Sequence, residues 1–157
     1  MDEQRLHYVE EFGLSFEGFG LPRMVGRVLG ALMVSQAREL AAEELAESLS
    51  ASRGSISTAT RSLVQMGLVQ RFSKTGERRD YFSVKPGAWR GLMRREIDAL
   101  GSFRQMAERG LALMDADDPE ARRSMEEMRD LYAFWERELP ALLERFEAEQ
   151  EEKSWKR

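Results

Sequence analysis

Apolar residues recur at helical spacing through most of this chain, and in two short stretches they follow the pattern of strands. Helices are predicted over residues 2–19, 22–33, 42–49, 52–67, 86–114 and 119–146. Two runs rich in β-branched and aromatic residues, 68–74 and 81–85, flank a glycine-bearing turn and predict a β-hairpin. An extended piece at 39–41 is expected to pair with it. The predicted fold class is therefore mainly α with a small β wing: a winged helix-turn-helix with additional helices at both ends.

The segment 52–67 has the polarity of a DNA-recognition helix. Ser52 is a favourable N-cap, and Gly67 is a favourable residue to end the helix. Three apolar residues share the face toward the core: Ile56, Ala59 and Leu63. The opposite face carries hydroxyl, amide and guanidinium groups and no acid: Arg53, Ser55, Ser57, Thr58, Arg61 and Gln65. Groups of these types bond phosphates and base edges, so this face is the predicted DNA-reading surface.

The predicted hairpin has a basic tip, which is typical of the wing in a winged helix. Its turn contains Arg78 and Arg79 and follows Lys74. These cations are expected to reach phosphates or the minor groove beside the recognition helix. The alternative is ordinary surface charge, in which one arginine pairs with Asp80 or Glu77.

Charge is segregated along the chain. The protein carries 24 Lys and Arg against 28 Asp and Glu, a net charge of −4. Residues 50–95 hold ten basic and two acidic side chains, so this segment is +8 and leaves −12 for the remainder. Such a basic segment attracts duplex DNA and orients the protein on it, because phosphate contacts supply most of the sequence-independent affinity.

The composition argues against several other classes of function. The 157 residues include no cysteine, which excludes disulfides, cysteine zinc sites and thiol redox sensing. No apolar run is long enough to span a membrane and no signal-peptide pattern is present, so a cytoplasmic protein without a membrane partner is expected. The single histidine, His7, has no accompanying nucleophile, and Asp115, Asp117 and Asp118 suit helix capping better than cation binding. Neither an enzyme nor a metal or other cofactor is predicted.

Apolar stripes at both ends predict packing surfaces beyond the winged helix. The first helix carries Leu6, Val9, Phe12, Phe16 and Phe19 on one side. In the last helix, residues spaced by four and three form a heptad seam: Ala121, Met125, Met128, Tyr132, Trp135, Leu139, Leu142 and Phe146. A homodimer joined through these helices is expected. The alternative is a hairpin of the two C-terminal helices within one chain, which would bury part of the same surface.

The domain plan that follows has four parts. Residues 1–20 are assigned to an N-terminal dimerisation helix and 21–86 to the winged helix-turn-helix. Residues 87–150 are assigned to C-terminal dimerisation helices, with a kink expected at Pro140, and 151–157 to a charged tail.

Three stretches resemble the MarR-type winged-helix transcriptional regulators, and among them the GbsR-like branch. They are GLPRMVGRVLG at 20–30, SRGSIS at 52–57 and GERRDYF at 76–82. With the order of elements, the resemblance covers residues 1 to about 140. It implies a homodimeric bacterial regulator that binds a palindromic operator in double-stranded DNA, usually as a repressor and often released by a small effector. In the regulator after which the GbsR-like branch is named, that effector is linked to choline and glycine betaine metabolism.

Aromatic residues provide the candidate site for such an effector. Trp89 begins the helix that leaves the wing, whereas Tyr132, Phe134 and Trp135 cluster on the last helix. Aromatic faces bind quaternary ammonium groups, which fits the choline link that the resemblance implies. The favoured alternative is structural: Tyr132 and Trp135 belong to the heptad core, and Trp89 packs the wing against its helix.

A different class of function is a protein-interaction adaptor or anti-factor that keeps a winged-helix scaffold without binding DNA. The acidic body and the long apolar seam would suit such a module. The basic wing and the acid-free recognition face favour a sequence-specific transcriptional regulator instead, because a scaffold without DNA has no physical need for concentrated positive charge.

Overall fold

The computed structural model describes residues 1–115 and 118–155, with side chains through residue 153. Two compact units follow one another, Met1–Trp89 and Arg90–Arg157. The first unit contains α1 (Glu3–Gly18), α2 (Arg23–Val34), β1 (Leu40–Ala41), α3 (Ala42–Ser48), α4 (Arg53–Gln65), β2 (Val69–Ser73) and β3 (Asp80–Val84). The second is built from α5 (Ala88–Leu113), which begins at the end of the first unit, and α6 (Pro119–Trp155). The predicted fold class is confirmed.

Helices α1 and α2 pack closely side by side. Val9 is fully buried and Phe12 and Phe16 are half-buried, whereas Leu6 and Phe19 are 37% and 83% exposed. The apolar stripe of α1 therefore ends at Phe16. Phe19 leaves it because the helix stops at Gly18 and Phe19 is its C-cap.

The core of the first unit lies where α2, α3 and α4 meet. Its large side chains, all at most 2% exposed, are Val25, Val28, Leu29, Leu45, Leu49, Ile56 and Leu63. Ile56 and Leu63 are inward positions predicted for the recognition helix, and the third, Ala59, is 1% exposed. The burial of one apolar stripe from each short helix stabilises the arrangement, because isolated helices of this length are marginal in water.

The three strands form an antiparallel sheet in the order β1-β3-β2. Leu40 pairs with Phe82 across β1 and β3, which confirms that the extended piece before α3 joins the wing. Val69 pairs with Val84 and Ser73 with Asp80 across the hairpin. The wing is thus anchored through its inner strand to the start of the helix-turn-helix.

In the second unit, α5 and α6 form an intrachain hairpin. The rings of Phe103 and Tyr132 stack with centroids 4.9 Å apart, and Arg104 Nε donates to Glu136 Oε2 at 2.6 Å. The intrachain alternative for the seam is therefore present in the structure. It leaves part of the seam uncovered, since Trp135, Leu142 and Phe146 are 38–48% exposed.

Helix α6 is longer than the predicted segment. It continues through Pro140 and through 151–155, which were expected to form a tail. At its start, Asp118 Oδ1 accepts from the amide of Ala121 at 3.0 Å, so this aspartate caps the helix as predicted. Asp117, another predicted cap, lies outside the described residues.

Candidate DNA-binding surface

The turn between α3 and α4 determines the direction in which α4 begins. Ser50 adopts a left-handed conformation with φ 49°, and the Ala51 amide donates to Ala46 O at 2.9 Å. Ser52 Oγ then accepts from the Ser55 amide at 3.2 Å and caps α4. The predicted cap is confirmed, and so is the end of the helix, where Gly67 has φ 65°.

The outer face of α4 presents most of the predicted DNA-reading side chains to solvent. Arg53, Ser57, Thr58, Arg61 and Gln65 are exposed, whereas Ser55 is half-buried. The Arg61 guanidinium donates weakly to Ser57 Oγ at 3.5 Å, one helical turn earlier. Both groups keep further hydrogen-bonding capacity for another partner.

A cleft of about 260 Å³ lies between α4 and the sheet. It is lined by Arg53, Ser57 and Arg61 from the helix and by Arg71 from β2, and also by two acids, Glu43 and Asp80. Arg71 was not among the predicted site residues. The sequence signal for it was its position next to Phe72 on a predicted strand. Neighbouring strand residues face opposite sides, so half-buried Phe72 leaves Arg71 on the outer face of the sheet. The Arg71 side chain is 63% exposed, and its Nε is 3.7 Å from Asp80 Oδ1, a loose ion pair.

Two of the three predicted wing cations are engaged within the chain. Lys74 forms an ion pair with Glu39, and its ammonium lies 4.1 Å from the centroid of the Tyr81 ring. Arg79 Nε donates to Glu77 Oε2 at 2.9 Å, and its guanidinium lies 5.4 Å from the same ring centroid. The alternative that one arginine pairs with Glu77 thus holds for Arg79.

Arg78 differs from these two residues. It is exposed, and no acid within ion-pairing distance accompanies it among residues 1–115 and 118–153. Its charge is therefore the one at the wing tip that is available without first breaking an internal pair.

These contacts shift the pKa values of several groups in the wing. Hydrogen bonds from Tyr81 and then from Arg79 lower the pKa of Glu77. The same bond to Glu77 raises the pKa of Tyr81, because the neutral phenol is the donor. Lys74 has a raised pKa because Glu39 accepts a hydrogen bond from its ammonium. Near neutral pH the wing therefore combines charged Lys74 and Arg79 with a neutral tyrosine.

The candidate effector residues are divided between the two compact units. The Tyr132 ring meets Trp135 edge-on at 5.9 Å and has Phe103 stacked on it. Phe134 is 50% exposed and lies under the guanidinium of Arg137 at 5.3 Å. Trp89, 44% exposed, belongs to the other compact unit. Since Phe103 and Arg137 already occupy ring faces, these contacts favour the packing interpretation.

No helix within the described ranges is both long and apolar enough to cross a membrane. In the same part of the chain, no three histidine or acidic side chains come together as metal ligands. His7 is largely exposed and lies 3.4 Å from Glu11 on the next turn of α1.

Comparison with known proteins agrees with this architecture. Residues 19–79 match the model of the MarR family, and residues 87–149 match one described as MmpR5-like MarR family transcriptional regulator. The HTH-type transcriptional regulator MmpR5 of Mycobacterium tuberculosis (strain ATCC 25618 / H37Rv) is 38% identical over 141 residues, which are 90% of this chain and 86% of that protein. The HTH-type transcriptional repressor OpcR of Bacillus subtilis (strain 168) is 27% identical over 79 residues, 50% of this chain and 42% of that one.

A solved structure is also similar over nearly the full length. The crystal structure of a transcriptional regulator aligns with a TM-score of 0.80 at 36% identity, covering 92% of this chain and 99% of the other. Similarity of this extent, together with the winged helix-turn-helix and its acid-free outer face, places the chain in the MarR family of DNA-binding, winged-helix transcriptional regulators.

Proposed function

We propose that this regulator reads a specific operator by inserting α4 into the major groove while the wing contacts the flanking backbone. The observation that carries the proposal is the outer face of α4, where exposed Arg53, Ser57 and Arg61 border a cleft and no acid stands on the helix. Arginine bonds guanine edges in a bidentate manner and phosphates equally well, so this face suits both affinity and sequence preference.

The predicted contact residues are assigned to two roles. Base-edge contacts come from the α4 residues Arg53, Ser55, Ser57, Thr58 and Arg61. Phosphate or minor-groove contacts come from Lys74, Arg78 and Arg79, to which the cleft adds Arg71. Arg71 enters because it lies beside the α4 arginines and is held by only a loose ion pair, so a phosphate can compete for it.

The regulator acts as a homodimer on a palindromic operator. Exposed apolar side chains on α6 support this, because a helix with such residues normally covers them with a partner. Those residues are Leu131, Phe134, Trp135, Leu142 and Phe146. Two recognition helices would then reach half-sites roughly 34–36 Å apart, about one turn of DNA.

Repression in the cytoplasm is the proposed mode of action, and the OpcR similarity supports it because that relative is named a repressor. An effector that releases the DNA remains part of the proposal, with choline and glycine betaine as the compounds to test.

The GbsR-like branch stays a prediction, since the longer match names MmpR5 instead. No reaction is proposed, because the named relatives are regulators.

Binding-site selection from random duplexes, followed by fluorescence anisotropy with the selected duplex, tests the proposal. Arg53→Ala and Arg61→Ala should each weaken binding by about 1–3 kcal/mol and relax preference at one base pair. Arg123→Ala is the control, because it removes an exposed arginine of α6 that belongs to neither proposed surface. Wild-type affinity in both α4 variants would remove this helix from the interface, and failure to select any duplex would favour the adaptor alternative.

A further inference from the structure

The motif at 20–30 marks the contact between α1 and α2, and an acid on α1 lies at its centre. Glu10 Oε2 is 2.8 Å from Arg23 Nη2, and Glu10 Oε1 is 2.7 Å from Arg27 Nε. One carboxylate of the first helix therefore holds two arginines of the second. The DNA-reading surface described above uses neither arginine.

Arg27, unlike Arg23, also contacts the end of α3. Its Nη2 donates to the backbone carbonyl of Leu49 at 3.0 Å, and its side chain is only 20% exposed. Leu49 is the C-cap of α3 and immediately precedes Ser50, the left-handed residue of the helix-turn-helix turn. Arg27 thus forms an ion pair with α1, although its Nε has no hydrogen-bond partner of good geometry, and its Nη2 hydrogen-bonds the turn before the recognition helix.

Close packing of the two helices makes this bridge possible. A Cβ atom on Gly26 would lie 2.5 Å from the Phe12 carbonyl oxygen, a distance that real Cβ atoms essentially never show. A Cβ on Gly13 would lie 2.7 Å from Cγ of Arg27. The glycines let the aliphatic stem of Arg27 cross the α1 backbone, so that its guanidinium reaches the turn.

We propose that Arg27 is a positioning residue for DNA recognition: it couples α1 to the helix-turn-helix turn and thereby sets the direction of α4. The inference rests on the proposed role of α4 as the reading helix. A guanidinium suits this task because its delocalised charge can pair with a carboxylate while one of its N–H groups donates to a carbonyl. Displacement of α1 would pull on Arg27 and so change the orientation of α4.

The test compares Arg27→Met with Arg23→Met. Both variants remove one arginine that pairs with Glu10, but only Arg27 bonds the turn. The first readout is the affinity for the selected duplex relative to a random duplex of equal length. The second is amide hydrogen exchange over 50–56 relative to the wing at 69–84.

In Arg27→Met the affinity ratio should fall by about tenfold or more, as expected when base contacts are lost while phosphate attraction persists. Exchange over 50–56 should accelerate while exchange over 69–84 stays unchanged. Arg23→Met should leave both readouts within about twofold of wild type, well under the 1.4 kcal/mol of a tenfold change.

Equal effects of the two variants would overturn the inference, and so would a loss of thermal stability with an unchanged affinity ratio and unchanged local exchange. Should Arg27→Met fail to fold, Arg27→Lys gives the same comparison against Arg23→Lys, because one ammonium cannot reproduce the arginine fork. Should the wild type select no duplex, the proposed function fails, whereas the exchange comparison still decides whether Arg27 holds the turn.

Discussion

At the scale of single residues, the backbone at Ser50 carries strain that the sequence pattern does not reveal. Serine occupies a φ of 49° there, a region that glycine enters freely and that costs other residues roughly 1–2 kcal/mol. The turn keeps this shape because α3 and α4 both bury apolar side chains in the core, among them Leu49 and Ile56.

Ser50→Gly should therefore stabilise the protein by about 0.5–1 kcal/mol, since relief of strain exceeds the added entropy of the unfolded chain. Urea unfolding measures the change. Ser57→Gly is the matched control within α4, where glycine should cost about 0.5 kcal/mol. Similar destabilisation by both substitutions would show that Ser50 is not strained.

The Tyr81 hydroxyl provides a second prediction at this scale. In a Tyr8→Phe, Tyr132→Phe background, ultraviolet titration should place the pKa of Tyr81 above the ordinary phenol value of about 10. The bond to Glu77 is then fully present below that ordinary value and is lost as pH rises through the raised pKa. Glu77→Gln should return the titration toward the ordinary value, and an unchanged curve would show that the bond does not form in solution.

At the scale of elements, the wing is an internally paired hairpin with one uncommitted cation. Arg79 donates to Glu77, whereas Arg78 is exposed. Exposed ion pairs are weak, so phosphate can compete with Glu77 for Arg79 when DNA is present. The pairing sets the geometry of the wing in the free protein.

The salt dependence of DNA affinity should report how many phosphate contacts the wing makes. Arg78→Ala should lower the slope of log affinity against log salt by about 1, and the double variant with Arg79→Ala by about 2, on all duplexes alike. Arg123→Ala, which removes an exposed arginine of α6, should leave the slope unchanged. A double variant that behaves like Arg78→Ala alone would mean that Arg79 stays with Glu77 in the complex.

At the scale of the whole molecule, the apolar residues of α6 fall into two sets, one packed against α5 and one exposed. Tyr132 stacks on Phe103 within the hairpin, while Leu142 and Phe146 are 47% and 48% exposed. The first set stabilises the fold of one chain, and the second is the surface proposed for the partner subunit.

Leu142→Glu with Phe146→Glu should convert the dimer to monomer in sedimentation experiments, because burying two charges in an apolar contact costs several kcal/mol. Leu113→Glu is the control, since Leu113 is 89% exposed in the same compact unit. A dimer of unaltered affinity would assign the contact to another surface. Circular dichroism should show the same helix content in all three proteins.

The sequence by itself determined the elements that depend on local rules. Periodicity located the core face of α4, the serine and glycine signals marked the ends of α4, and turn composition marked the wing. It also identified the acid-free face of α4, because helical spacing alone decides which side chains share a face.

Tertiary structure decided what depends on partners distant in the chain. Arg27 meets Leu49 22 residues away, Lys74 meets Glu39, and Arg71 joins the cleft beside α4 only through the sheet. Only the hairpin with α5 shows which residues of the α6 seam pack within the chain and which stay exposed. A heptad pattern alone does not distinguish an intrachain neighbour from a second subunit. Local spacing fixes the face on which a side chain lies, whereas only the packed fold fixes what that face meets.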